Sequence, residues 1–334
     1  MNRRSLLRCG APAVLGAVAG CSALATDAPN VNPSTGLDQD TSAALDDRPV
    51  ARLGDVAALP APPAETDALS DARVALATAD ADVARLADAM RDGTTVAFAG
   101  PECQAALRTV LTTVGDDFHY GVESISGRPV ELVVAEPRGD AVATYQFVAE
   151  GGWDDPILDP LGWALVGRTP ECDTFVPERS DADAFARLGA THVAGRLPTG
   201  ETYASRTVGH EREGQLRLHT AVHAASSGGY PVAETRRVAD FPNDGALAKW
   251  FPNPHEQNGV EASNHSDPVA ERLDVSFSPT GDRTRGAMTG CCGVTATDAL
   301  GYDYALRCRW TRDGLFGSNT RHGGAEGRGE WHVR

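Results

Sequence analysis

Between positions 71 and 115 the spacing of apolar residues alternates between two periods, and this alternation constrains the fold more than any other feature of the chain. Two short apolar runs have the length of buried strands, and after each one apolar residues recur every three or four positions, as on one face of a helix. The order predicts a β-α-β-α unit, which implies two parallel strands joined by a right-handed crossover. We expect Asp80 or Asp82 to cap the first helix, Gly93 to end it, and Pro101 to open the second. The predicted strands cover 73–77 and 94–99, and the predicted helices cover about 83–92 and 101–115.

Later apolar runs predict further strands of the sheet, and after residue 200 the pattern becomes that of antiparallel hairpins. Residues 215–222 alternate apolar with polar positions, which is typical of a strand with one buried face, and with 202–208 they predict a hairpin. The other predicted strands are 130–135, 143–149, 163–166, 232–238, 273–277 and 302–310, and one further helix is predicted at 181–188. The sequence therefore predicts an α+β (mixed α/β) fold, in which the β-α-β-α portion is followed by a β-rich, hairpin-containing portion.

Composition divides the chain into four parts. Residues 1–20 have the pattern of a signal peptide, and 21–70 are rich in Ala, Asp, Pro, Thr and Ser, which predicts a lipidated, disordered tether with room for a short helix at 53–59. An α/β portion at 71–200 and a β-rich portion at 201–334 follow, and these two can share one compact domain.

The first 21 residues predict export and lipid attachment. Arg3 and Arg4 precede two leucines, and a short apolar run then leads into Val18-Ala19-Gly20-Cys21. This run is far shorter than the ~20 residues that cross a bilayer. The pattern is that of a twin-arginine signal closed by a lipobox, with Cys21 as the lipid-bearing residue. The alternatives are the charged start of a general secretory signal and, for Cys21, a buried or disulfide-bonded cysteine.

The charge balance argues against nucleic acid as a partner, because the net charge is −16 and phosphate binding needs a basic surface. Lys249 is the only lysine, and aspartate outnumbers glutamate 29 to 17. With the signal, this composition resembles that of haloarchaeal twin-arginine-exported lipoproteins, and the resemblance covers only the signal and the composition. It implies a lipid-anchored protein on the extracellular face of the cell membrane, with the membrane, the twin-arginine translocase and an unknown ligand or envelope protein as partners. A GC-rich genome would explain the missing lysine but not the excess of aspartate.

Five cysteines remain after the signal and Cys21 are set aside, and in an oxidising compartment they allow at most two disulfides. We expect Cys292 to pair with Cys308, which would stabilise the fold by about 3 kcal/mol. Cys103 and Cys172 are the other candidates, and the alternative is that these cysteines are reduced and buried. Cys291 beside Cys292 has no C-x-x-C motif that would favour a metal or redox pair.

Histidines give only weak metal candidates. His219 and His223 have a zinc-like spacing, but on a strand they lie about 13 Å apart and cannot share one ion. His255 and His265 lie in a polar loop with Glu256 and Asp267, which suits either a cation site or a solvated loop. We therefore predict neither a metal nor a cofactor.

Two further patterns bear on binding or modification. Asn264 begins a glycosylation sequon. Asp154, Asp155 and Asp159 lack the spacing of a calcium loop, so we expect them to shape a turn.

No set of residues forms a coherent catalytic motif, so the sequence favours binding over catalysis. The leading hypothesis is a cell-surface lipoprotein that binds a ligand or partner at the envelope. One alternative is an exported, metal-assisted hydrolase that uses the histidines named above. The other is a solute-binding protein of an uptake transporter, which two similar α/β lobes would favour.

Overall fold

The computed structural model describes residues 39–54, 56, 66, 68–166, 186–212, 215–225, 231–241, 249–251, 260–264, 271–278, 299–314 and 317–332. All of them belong to one compact unit, Asn32–Arg334.

The described residues form four α-helices and fifteen strands. The helices are α1 Gln39–Asp46, α2 Val83–Arg91, α3 Cys103–Thr113 and α4 Leu158–Leu165, and Leu69–Asp71 form a 3-10 turn. The strands are β1 Val50–Leu53, β2 Val74–Ala77, β3 Thr95–Ala99, β4 His119–Ser126, β5 Val130–Arg138, β6 Ala141–Val148, β7 Ala186–Arg196, β8 Thr202–Arg212, β9 Gln215–Ala225, β10 Pro231–Phe241, β11 Lys249–Phe251, β12 Val260–Asn264, β13 Glu271–Ser278, β14 Ala299–Gly314 and β15 Gly317–His332. The predicted α+β fold class is confirmed.

All fifteen strands belong to one sheet, whose main path runs β11-β10-β9-β8-β7-β6-β4-β15-β14-β13-β12. A branch leaves β6 through β5 to β3, β2 and β1. The strands β1, β2 and β3 are parallel, and β7 to β10 form an antiparallel meander. The two arms of the sheet approach each other, because β10 contacts β12 and β13. Strands from both sides of residue 200 therefore share one sheet.

The predicted β-α-β unit forms as the apolar spacing indicates. Asp82 caps α2, since its Oδ1 accepts hydrogen bonds from Ala84 N (3.0 Å) and Arg85 N (3.3 Å). Leu86 and Met90 are buried on one face of α2. The strands on either side of α2 pair in parallel, Val74 opposite Thr95, so the predicted parallel pair is confirmed.

Helices cover both faces of this part of the sheet. On one face, α2 and α3 pack in the same core as Phe98 and Val133. On the other face, α1 and α4 pack with Tyr145, Phe147 and Trp153. The first core continues along the sheet and includes Trp310 and Trp331.

Residues 39–53 form part of the fold, which corrects the prediction of a tether over 21–70. Val50 and Ala51 are buried and pair in parallel with Val74 and Ala75. The edge of β2 supplies backbone partners that local composition does not reveal. The short helix expected at 53–59 is not supported at its start, since Leu53 ends β1, and most of that range lies outside the described residues.

Two predicted elements are wrong in type. The strand predicted at 163–166 is mostly α4, whose first turn is held by Asp155 Oδ1 accepting from Ile157 N and Leu158 N, both at 2.8 Å. Asp155 thus shapes a turn as predicted. The helix predicted at 181–188 is a strand from Ala186 onwards, because β7 pairs with both β6 and β8, and residues 181–185 lie outside the described part.

Candidate functional site

A pocket of about 530 Å³ lies where β3 ends and α3 begins. We call it the turn pocket, and it is lined by Gly100, Pro101, Glu102, Cys103, Gln104, Ala105, Arg108, Ser124, Pro129 and Val130. Its volume falls in the range of small-ligand sites, roughly 300–1,000 Å³. It also lies at the carboxyl end of the parallel strands β2 and β3, where open α/β sheets commonly bind ligands.

The turn itself is tight and strained. Gly100 has φ +83° and Glu102 has φ +61°, the only positive φ of a non-glycine residue among those that the structure describes. A left-handed non-glycine residue costs about 1–3 kcal/mol and persists where the surroundings hold it in place. Here Gly100 N donates to Glu131 O at 3.2 Å, and Cys103 N donates back to Gly100 O at 3.3 Å. Helix α3 therefore begins at Cys103, and Pro101 lies in the turn rather than at the predicted first helical position.

No side chain caps the N-terminus of α3, because the cap residue Glu102 makes no side-chain hydrogen bond to the helix. Cys103 N and Ala106 N donate to Gly100 O and Glu102 O. The N–H groups of Gln104 and Ala105 belong to the first turn, have no intrahelical acceptor and lie in residues that line the pocket. This end of the helix therefore presents a positive potential to the pocket.

Arg108 lies in the pocket wall one turn further along α3, and its positive charge is partly offset by an ion pair with Glu330 at 3.2 Å. Its guanidinium donates to Ser124 Oγ and, at 3.2 Å, to Glu330 Oε1, so strands β4 and β15 fix its place in the wall. Its side chain keeps 39% of its exposure. A guanidinium held this way can offer its remaining N–H groups to a carboxylate or a phosphate.

The thiol in the pocket wall is structural. Cys103 is 2% exposed and its thiol donates to Val130 O at 3.6 Å. Burial raises the pKa of the Cys103 thiol to about 11, so the nucleophilic thiolate is scarce at neutral pH. Gln104 bonds with both Ile125 N and Ile125 O, which fixes α3 against β4.

The strained turn is hydrogen-bonded to the backbone of Glu131, whose carboxyl group is influenced by that of Glu150. Burial, and then the charge of Glu150, raise the pKa of Glu131 to about 7. Glu150 is itself paired with Arg128, and it accepts a hydrogen bond from the Tyr203 hydroxyl at 2.8 Å. Glu131 Oε2 is buried and has no hydrogen-bond partner. Glu131, whose carboxyl group titrates near neutral pH, therefore contacts the strained turn through its backbone oxygen.

Cys103 and Cys308 are both free, buried thiols. The expected partner of Cys308, Cys292, and the other candidate, Cys172, lie outside the described residues, so the predicted pairings stay predictions. Cys291 also lies outside them. Burial raises the pKa of both described thiols, which disfavours the thiolate that disulfide formation needs. These two cysteines match the alternative of reduced, buried thiols.

Two of the four predicted histidines, His219 and His223, lie in the described part of the chain. His219 and His223 both lie on strand β9, where four residues span about 13 Å and no single ion can be shared. Within the described ranges no group of three or more histidine, cysteine or acidic residues is placed to hold a metal. His255 and His265 lie outside those ranges, as do Cys21, Arg3 and Arg4. Asn264 ends β12 and pairs with Glu271.

Sequence reasoning missed the turn pocket. Arg108 meets Ser124 across 16 positions and Glu330 across 222, and no local pattern links such residues. The available signal was the run strand, Gly100-Pro101, helix, which marks a strand-to-helix turn of the kind that binds ligands.

No helix in the described part of the chain is both long and apolar enough to span a membrane. No protein-family model, curated protein or solved structure matches the chain.

Proposed function

We propose that this protein is a lipid-anchored binding protein of the extracellular membrane surface, and that its turn pocket takes the anionic group of a small molecule. The observation that carries the ligand proposal is the pocket at the uncapped N-terminus of α3, with Arg108 in its wall.

The surface location is supported by the sequence. Arg3, Arg4 and Cys21 have the order of a twin-arginine signal with a lipid-attachment site, and the acidic composition suits a protein exposed to high salt. A lipid on Cys21 would tether the folded unit to the membrane.

Three features of the pocket favour a carboxylate or phosphate group. Backbone N–H groups at the start of a helix point towards a bound anion, and the helix dipole adds to their attraction. Arg108 can offer a bound anion the guanidinium N–H groups that Ser124 and Glu330 leave unused. Glu102 is exposed at the rim, so its carboxylate can stay in solvent while a ligand approaches the backbone.

The two alternative functions have less support. The metal-assisted hydrolase would use the histidines, and His219 and His223 lie too far apart on β9 to share one ion. The described strands form a single sheet, whereas a solute-binding protein would be favoured by two similar α/β lobes.

Substitution of Arg108 tests the ligand proposal. Inorganic phosphate and succinate would be titrated into the wild type and into Arg108→Gln by calorimetry at low ionic strength, because salt screens such contacts. We expect binding to weaken by about tenfold or more in the variant. Phosphate and succinate distinguish the two oxyanion classes.

The matched control is Arg307→Gln. Arg307 pairs with Glu326 on the exposed surface of β14 and β15, away from the pocket lining. The Arg307→Gln variant should bind phosphate and succinate as tightly as the wild type does. Absence of binding to the wild type, or an equal loss in both variants, would contradict the proposed ligand class.

A further inference from the structure

Five polar side chains lie buried together on one face of three neighbouring strands, and we call them the polar belt. They form two rows across β6, β7 and β8: Thr144 pairs with Thr191 and Thr191 with Thr207, while Gln146 and Ser205 are both register partners of Val193. Each of these five side chains keeps at most 1% of its exposure. Successive residues of a strand alternate between faces, so both rows point to the same side as Val142 and Val148.

Several polar atoms of the belt have no hydrogen-bond partner. They are Oε1 and Nε2 of Gln146, Oγ1 of Thr191 and Oγ of Ser205. Thr144 is satisfied, since its hydroxyl donates to Gly121 O at 2.7 Å. Buried polar groups are nearly always paired in folded proteins, because an unpaired one loses the hydrogen bonds it made with water. Three side chains with four such atoms in two adjacent rows therefore point to a polar occupant.

Aromatic rings lie at both ends of the belt. The indole of Trp331 lies over Gly121 and Gly209, and a Cβ on Gly121 would stand 2.7 Å from Trp331 Cε2 and 2.5 Å from Thr191 Cγ2. At the other end the ring of Tyr203 lies over Gly195 and Gly323. The indole nitrogen of Trp331 is buried and also has no hydrogen-bond partner. The absence of side chains at these glycines lets the two rings approach the sheet closely.

The chemistry of the belt favours an uncharged ligand. Its unpaired atoms belong to an amide, two hydroxyls and an indole, which together donate and accept hydrogen bonds without carrying charge. Glu123 is buried two residues along β4 from Gly121, on the same face, and a carboxylate there disfavours an anion. Hydroxyl groups both donate and accept, and aromatic rings pack against the apolar face of a sugar ring.

We propose that the polar belt, between Trp331 and Tyr203, is a second binding site that takes a small neutral polyhydroxylated molecule, a sugar or a polyol. The site is separate from the turn pocket and does not depend on the anionic ligand proposed there.

Equilibrium dialysis of the full chain against radiolabelled glucose and radiolabelled glycerol tests this site. We expect about one molecule of one of these probes per chain, with a Kd below about 10 mM. Gln146→Leu keeps the size of the side chain and removes two unpaired atoms, and Thr191→Val removes one. Each should weaken binding by about tenfold or more.

The control is Thr320→Val, which removes an exposed hydroxyl on β15 and should leave binding unchanged. Thermal unfolding without probe checks the fold, and Gln146→Leu should be at least as stable as the wild type because no hydrogen bond of Gln146 is lost. The proposed site is wrong if neither probe binds to the wild type up to about 100 mM, or if Gln146→Leu binds a probe as tightly as the wild type does. The belt would then hold only ordered water.

Discussion

Two regions of the same sheet face bury side chains by different rules. Where α2 and α3 cover the sheet, Phe98 and Val133 belong to a continuous core of apolar side chains. Further along, on β6 to β8, the same face buries Thr144, Gln146 and Ser205. The apolar packing of the first region stabilises the fold. The second region keeps unpaired polar atoms, each of which lowers the free energy of unfolding by about 1–3 kcal/mol. The difference indicates that binding, rather than stability, accounts for the polar belt.

The largest expected effect contrasts one substitution in each region. Phe98→Ala should lower the free energy of unfolding by about 3–5 kcal/mol, because it leaves a cavity in a packed core. Gln146→Leu should leave it unchanged or raise it by roughly 1 kcal/mol, because both lost polar atoms are unpaired. Denaturant unfolding of the two variants measures both values. A strong loss in Gln146→Leu would show that the belt is part of the structural core.

Glu131 should give the next largest effect, and it depends on pH. Burial raises the pKa of Glu131 from its ordinary value of 4.5 to about 7, so between these values the folded state holds more protons than the unfolded state. Stability attributable to this group is therefore full below about pH 4.5 and falls as the pH rises through 7. Because Glu131 is partly exposed, the loss should be no more than roughly 2 kcal/mol.

The comparison of wild type with Glu131→Gln isolates this effect, since glutamine does not titrate. The stability of the wild type relative to the variant should decline between pH 4.5 and pH 8. Parallel curves for the two proteins, measured by urea unfolding at several pH values, would show that Glu131 titrates normally.

The smallest expected effect concerns the strained turn. Glu102→Gly should stabilise the fold by about 1 kcal/mol, because glycine adopts a positive φ without steric cost. Asp116→Gly, in an exposed turn without positive φ, is the matched control and should destabilise by up to about 1 kcal/mol. Equal changes in the two melting curves would mean that Glu102 stores no strain.

The elements that the sequence predicted correctly are those set by local pattern. Helix α2 has its cap Asp82 and its buried Leu86 within a few positions of each other, and β2 and β3 are short apolar runs. Strand β15 was missed because glycines interrupt its pattern, and it becomes a strand through pairing with β14 and β4. Long-range pairing also turns Ala186–Leu188 into the start of β7.

The candidate sites were less predictable than the fold. Arg108, Ser124 and Glu330 meet only after β4 and β15 pair, and the polar belt depends on the register of β6, β7 and β8. Alternation of apolar and polar residues predicted one buried face for 215–222. The same rule places polar residues on the exposed face, so it cannot predict the buried polar residues of the belt. Such sites become visible only when strands distant in the chain are placed side by side.

Intact mass spectrometry of the chain isolated from membranes of its native host tests the proposed surface anchoring most directly. We predict a chain that begins at a lipid-modified Cys21, with Cys103 and Cys308 alkylated as free thiols once the protein is unfolded without reductant. An unmodified chain that still carries Arg3 and Arg4 and is recovered without the membrane would contradict the proposed anchoring.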